Sequence, residues 1–231
     1  MPGSVDYAIW LLGTLLELGV VVCAISRKSF RRYLCLNLYM LLSFLVSAGR
    51  YEVLSLYGLK SFEYRYFYFY SDALLTVFLY LGLITLYLHV FDEMKVESHL
   101  RLVAVILLAG TAVFSYFVVE QSQQRILTRF VFELSQNLYF VGLVLTYLLW
   151  GAILKLRETR ARLIQLVLSM GMYFSAFAAT FALKNMFPRV PGVGYIIPVF
   201  GCLLPLAWAY AFWRLPEDAR IAPARLAVVP R

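Results

Sequence analysis

Apolar stretches of about twenty residues, repeated along the chain and parted by short clusters of charge, constrain this sequence more than any other feature. A bilayer core holds no water to satisfy free backbone groups, so only helices and closed barrels cross it, and a helix needs ~20 mostly apolar residues to do so. Seven stretches meet that length: 7–26, 33–57, 66–91, 100–119, 130–154, 161–183 and 193–213. Their continuous rather than alternating apolarity disfavours a β-barrel. Of 231 residues, 62% are hydrophobic and 15% charged, against about 25% charged in a soluble domain. Disorder, collagen, coiled coil, disulfide scaffold and ordinary soluble enzyme are excluded on those figures. The predicted class is all-α: a polytopic membrane protein with seven transmembrane helices, one bundle over 1–213 and a short basic tail over 214–231.

Basic residues set the expected orientation. Fourteen follow the odd-numbered spans: Arg27, Lys28, Arg31, Arg32, Lys95, Arg101, Lys155, Arg157, Arg160, Arg162, Arg214, Arg220, Arg225 and Arg231. Seven lie on the other side: Arg50, Lys60, Arg65, Arg125, Arg129, Lys184 and Arg189. The N-terminus is therefore expected outside and the C-terminus in the cytoplasm, and Asp6 ahead of the first span agrees. That span lacks a basic n-region and an A-x-A site, so it reads as retained. The net charge of +8 is explained by this bias and by anionic headgroups; the expected partner is the lipid bilayer, not nucleic acid. The aromatic run Tyr64 to Tyr70 reads as an outer headgroup belt, or, more sharply, as a stacking surface for a ligand. Trp208 and Trp213 are expected in the inner belt.

No proline falls between Pro2 and Pro188, so the first six spans are expected unbroken. Pro198 and Pro205 are expected to kink the seventh, since proline removes a donor and crowds the preceding turn. Gly171, Ser175, Ala178 and Ala182 form a small-residue stripe that suits close internal helix packing. A 3+1+3 transporter repeat is not supported, because Glu17 precedes its basic turn by ten residues and Glu133 precedes Lys155 by twenty-two.

Ionisable groups inside a span are costly, which makes each a functional candidate. Glu17 lies near the middle of the first span. Arg50 and Asp72 lie at matching depth, ~10 Å and ~9 Å from the outer ends of consecutive antiparallel spans at 1.5 Å per residue. A salt bridge between them is the expected pairing. Arg50 shares a face with Ser43 and Ser47, and Asp72 with Thr76, Tyr80 and Tyr87. Glu133, Gln136 and Asn137 open the fifth span. Together these residues are candidates for an outward-opening ion or ligand pocket. Glu17, with no base expected at its depth, is read as neutral and hydrogen-bonded to a neighbouring helix, with proton or cation coupling as the functional alternative.

His89, Glu93 and Glu97 fall at i, i+4 and i+8, a spacing that suits metal ligands on one helical face. The ordinary reading is a charged helix end at the membrane surface, so no metal or other cofactor is expected. Cys23, Cys35 and Cys202 have no C-x-x-C spacing. There is no phosphate-binding glycine loop, G-x-S-x-G or H-E-x-x-H, and 193–213 has no lysine for a retinal Schiff base. No catalytic residues are assigned.

The turn Phe30-Arg31-Arg32-Tyr33, the run Tyr66 to Leu74, the segment Phe132-Glu133-Leu134-Ser135-Gln136 and Pro205-Leu206-Ala207-Trp208 resemble a family of uncharacterised bacterial seven-helix membrane proteins. That resemblance implies a bacterial inner (cytoplasmic) membrane and an unassigned function. The helix number and direction also resemble the seven-helix sensor regions found ahead of histidine kinases. The tail has no room for a kinase, so a signal is expected to leave through a membrane or cytoplasmic protein partner. The leading functional expectation is a non-enzymatic receptor-like sensor or accessory subunit. A small proton- or cation-coupled transporter is second, and a membrane-embedded lipid enzyme last.

Overall fold

A computed structural model describes residues 4–91, 126–156, 160–186, 193–217 and 219–220, together with 102–103, 106–107, 109–113 and 116. Among these the chain is helical and has no strand beyond an isolated bridge between Arg160 and Arg220. Six long helices are α1 (Ser4–Ser26), α2 (Leu34–Tyr57), α3 (Phe62–Val90), α4 (Ile126–Leu156), α5 (Ala161–Met186) and α6 (Val193–Arg214). Each is long and apolar enough to cross a membrane, and α4, α5 and α6 are the fifth, sixth and seventh expected spans. The fourth, 100–119, lies largely outside the described residues; those described within it are helical.

Local chemistry moved several boundaries. Expected to start at residue 66, α3 begins four residues earlier because Ser61 caps it, its side chain accepting from the Tyr64 N–H at 3.0 Å. This satisfies one of the free donors of a helix start. The tyrosine run thus lies within the helix, not ahead of it. α2 stops at Gly58, whose φ of 80° is costly for other residues. α6 runs through Pro198 and Pro205 as one continuous helix.

The helices form a closed ring in chain order, α1 to α6, with α6 returning to α1. Side-chain pairings give their directions. Glu17 meets Ser43 and Trp10 stacks on Tyr51, so α1 and α2 are antiparallel. α3 and α4 run parallel, since Asp72 faces Ser135, Thr76 adjoins Tyr139 and Tyr87 reaches Leu145. The C-terminal end of α3 and the N-terminal end of α4 therefore lie at opposite ends of the bundle. α1 and α6 are parallel too: Cys202 Sγ meets the Ile9 carbonyl, and Arg27 lies over the Trp213 ring.

Two residues of the small-residue stripe of α5 meet α4, Gly171 approaching Thr146 and Ser175 lying 3.5 Å from the exposed Tyr147 hydroxyl. Gly142 of α4 lies so close to the Phe174 ring that a Cβ there would enter it. Trp208, expected in an interfacial belt, is fully buried, and its indole N–H donates to Ser169 Oγ at 2.9 Å. It lies more than a turn inside α6, on the face turned to α5, so packing outweighs its preference for the headgroup layer. Trp213 is half-exposed beneath Arg27. Outward faces carry Leu11, Leu15, Leu45, Val144 and Leu148 exposed, the surface that hydrocarbon covers.

Candidate functional site

Most of the described basic residues gather at one end of the ring: Arg27, Lys28, Arg31 and Arg32 between α1 and α2, Lys155, Arg160 and Arg162 around the α4–α5 turn, and Arg214 and Arg220 beyond α6; Arg50, Lys60, Arg65, Arg129 and Lys184 lie toward the other end. Arg162 is buried there. Its Nη1 donates to Ser29 Oγ at 2.8 Å, and Nε and Nη2 both donate to the Leu215 carbonyl. Glu217 lies 3.8 Å from Arg162 and 2.9 Å from Arg32. The Ala161 N–H donates to the Ala219 carbonyl at 3.0 Å, and Arg160 donates to the His89 carbonyl. These bonds pin Leu215, Glu217 and Ala219 across the end of the bundle.

Toward the opposite end, α1, α2, α3, α5 and α6 enclose a cavity of about 360 Å³, within the ~300–1,000 Å³ range of ligand pockets. Its walls are aromatic and apolar, including Trp10, Tyr51, Tyr64, Tyr68, Phe177 and Ile197, with Thr14, Glu17, Ser47 and Arg50 among the polar groups. The aromatic run is thus divided, with Tyr64 and the part-exposed Tyr68 on the cavity wall and Phe67 and Tyr70 off it. Glu17 is bonded to a neighbouring helix, as expected: Ser43 Oγ donates to Oε1 at 2.5 Å and Ser47 Oγ to Oε2 at 3.4 Å.

The Arg50–Asp72 salt bridge is not formed. Arg50 donates from Nε and Nη2 to Ser71 Oγ at 3.1 and 2.9 Å and from Nη2 to the Tyr68 carbonyl at 3.2 Å, and its guanidinium lies 4.2 Å from the Tyr68 ring centroid. Consecutive helical residues point ~100° apart at 3.6 residues per turn, so Ser71 faces α2 while Asp72 turns toward Ser135 of α4. Matching depth was right; azimuth was not. Arg50 remains close enough to attract both carboxyls, Glu17 on one side and Asp72 on the other. Glu17 is therefore not without a base nearby, contrary to expectation.

Asp72 opens onto Thr76, expected on its face, and onto three tyrosines that were not expected there. The hydroxyls of Tyr39, Tyr173 and Tyr139 are hydrogen-bonded in that order, with Thr76 beside Tyr139 and donating to the Asp72 carbonyl at 2.8 Å. All three rings are buried. For Tyr139 and Tyr173 the available signal is a tyrosine well inside its span, where an amphipathic ring has no headgroup to meet. Of the α4 candidates, Glu133, Gln136 and Asn137 are each half-buried, and Ser135 is the α4 side chain facing Asp72. Glu93 and Glu97 lie outside the described residues. His89 holds the Thr85 carbonyl through Nδ1 at 2.7 Å and stacks on Tyr33. Among the described residues no group of three or more His, Cys, Asp or Glu side chains is placed to hold a metal ion.

Chemically, the cavity sets one carboxyl and one guanidinium on an aromatic wall, a composition that binds and orients. No protein-family model, curated protein or solved structure matches this chain, so the functional reading rests on the residues themselves.

Proposed function

We propose that this chain is a bacterial inner-membrane protein with seven crossings, its N-terminus outside and its C-terminus in the cytoplasm. It acts as a non-enzymatic receptor-like sensor or accessory subunit whose pocket opens outward. The carrying observation is the cavity holding Glu17 and Arg50 at the end of the ring opposite the basic cluster. A positive-inside distribution assigns the basic end to the cytoplasm and so the cavity to the exterior. Seven crossings are supported by the parallel α3 and α4: joining helices that run the same way needs a return passage, and 100–119 is apolar and long enough for it. The pinned basic end is the surface on which a cytoplasmic or membrane partner receives the signal.

Cysteine labelling tests the arrangement. With the three native cysteines replaced by serine, Tyr7→Cys at the cavity is expected to react with a membrane-impermeant maleimide applied from outside, and Lys28→Cys only from inside. Reversed labelling overturns the orientation and the outward pocket together.

One observation favours a second reading, a small proton- or cation-coupled transporter: two carboxyls flank a single guanidinium, leaving an acid for coupling. Reconstituted flux lost in Asp72→Asn would place this reading first.

A further inference from the structure

Glu17 and Arg50 line the same cavity, yet neither is neutralised by the other. Among the described residues no ion pair joins Arg50 to Glu17 or to Asp72. Each is held instead by neutral partners. Glu17 receives the hydroxyls of Ser43 and Ser47, and Arg50 gives Nε and Nη2 to Ser71 and to the Tyr68 carbonyl. Arg50 Nη1 makes no hydrogen bond among the described residues, which leaves two N–H donors unused on a cavity wall. Each carboxylate oxygen, with about two acceptor sites, can accept beyond its one serine.

Charge sorting follows from this geometry. A simple cation drawn to Glu17 meets the Arg50 guanidinium across the same small space, and a simple anion drawn to Arg50 meets Glu17. Such repulsions are strong where water is scarce. A molecule carrying both charges meets an opposite partner at each end. The remaining wall, with Trp10 stacked on Tyr51 and with Ile197 and Phe177 nearby, suits an apolar or aromatic body. At ~30 Å³ per water, the 360 Å³ cavity has room for a compact molecule of that kind.

We propose that this cavity binds a small zwitterion, an ammonium beside a carboxylate or phosphate on an apolar body, with its anion on Arg50 and its ammonium on Glu17. This rests on the reading of the cavity as an outward-facing ligand pocket. The same chemistry comes from a free amphipathic amino acid or from an aminophospholipid headgroup in the outer leaflet.

The test is a charge-selectivity panel on the purified full chain in detergent, read by calorimetry and thermal shift: L-phenylalanine carries both charges, phenethylamine the cation alone and 3-phenylpropionate the anion alone. Phenylalanine is expected to bind about tenfold or more tighter than either, the worth of one charge-assisted hydrogen bond. Glu17→Gln removes its advantage over 3-phenylpropionate, and Arg50→Gln its advantage over phenethylamine. The panel on the unsubstituted protein stands even if a variant does not fold. Stabilisation in phosphatidylethanolamine but not phosphatidylglycerol nanodiscs, abolished by both substitutions and without a response to phenylalanine, assigns the headgroup as the source and also supports the site. Equal binding of all three probes, tightest binding of either singly charged probe, or no response to probes or lipids overturns the proposal. If Tyr7→Cys still labels from outside, the outward pocket survives that failure; if it labels only from inside, the pocket reading has failed first.

Discussion

Arg162 and Arg50 both lie within the helices of this bundle, and the two ends treat them differently. At the basic end Arg162 is closed in by Ser29, the Leu215 carbonyl and Glu217, with all three guanidinium nitrogens engaged. At the cavity end Arg50 is half-buried, with Nη1 unused among the described residues. A buried guanidinium held through all three nitrogens is a fastener; one with a whole nitrogen left over, facing a cavity, is a receptor for something else. The same side chain takes either part according to which of its nitrogens the fold engages and how deeply it buries them.

Arg162→Ala is the strongest challenge to this contrast. Removing one member of a buried charged network costs about 3–5 kcal/mol, expected as a large loss of thermal stability in detergent. Arg162→Lys is expected to recover only part of it, since an ammonium cannot reproduce the planar fork. Next come two glycines. Gly142→Ala drives a methyl into the buried Phe174 ring, an overpacking that costs about 1–3 kcal/mol. Gly49→Ala meets the rim of the Phe67 ring, which is part-exposed where Phe174 is buried, so the same assay is expected to show a smaller loss. Trp208→Phe gives up one buried hydrogen bond to Ser169, about 1 kcal/mol. Arg50→Ala is expected to change unfolding least, by under about 1 kcal/mol in keeping with a part-exposed charge. A loss comparable to Arg162→Ala would erase the difference between the ends.

The membrane-crossing helices were legible in the sequence because hydrocarbon imposes a length and an apolarity that residue order records directly. Depth was legible too: Glu17, Arg50 and Asp72 were singled out as buried ionisable groups, and Glu17 and Arg50 share a wall. Azimuth and neighbour choice were not. Ser71 and Asp72 are adjacent in the chain but face different helices, and nothing in residue order says that α3 lies beside both α2 and α4. Ser135, Tyr139 and Tyr173 stayed hidden for the same reason, each an ordinary residue until the ring places it against Asp72. Arg162 was legible as one more positive charge at an inner boundary; its burial depends on Ser29 and Leu215, 133 and 53 positions away.

The ring closes through α1 and α6, the helices made first and last among those described, with Ile9 against Cys202 and Arg27 over Trp213. During synthesis α1 therefore waits in the bilayer with its closing flank uncovered until α6 has been inserted. Closure of the ring waits on the insertion of α6, and a ribosome stalled before residue 193 leaves an open arc for membrane proteases to find.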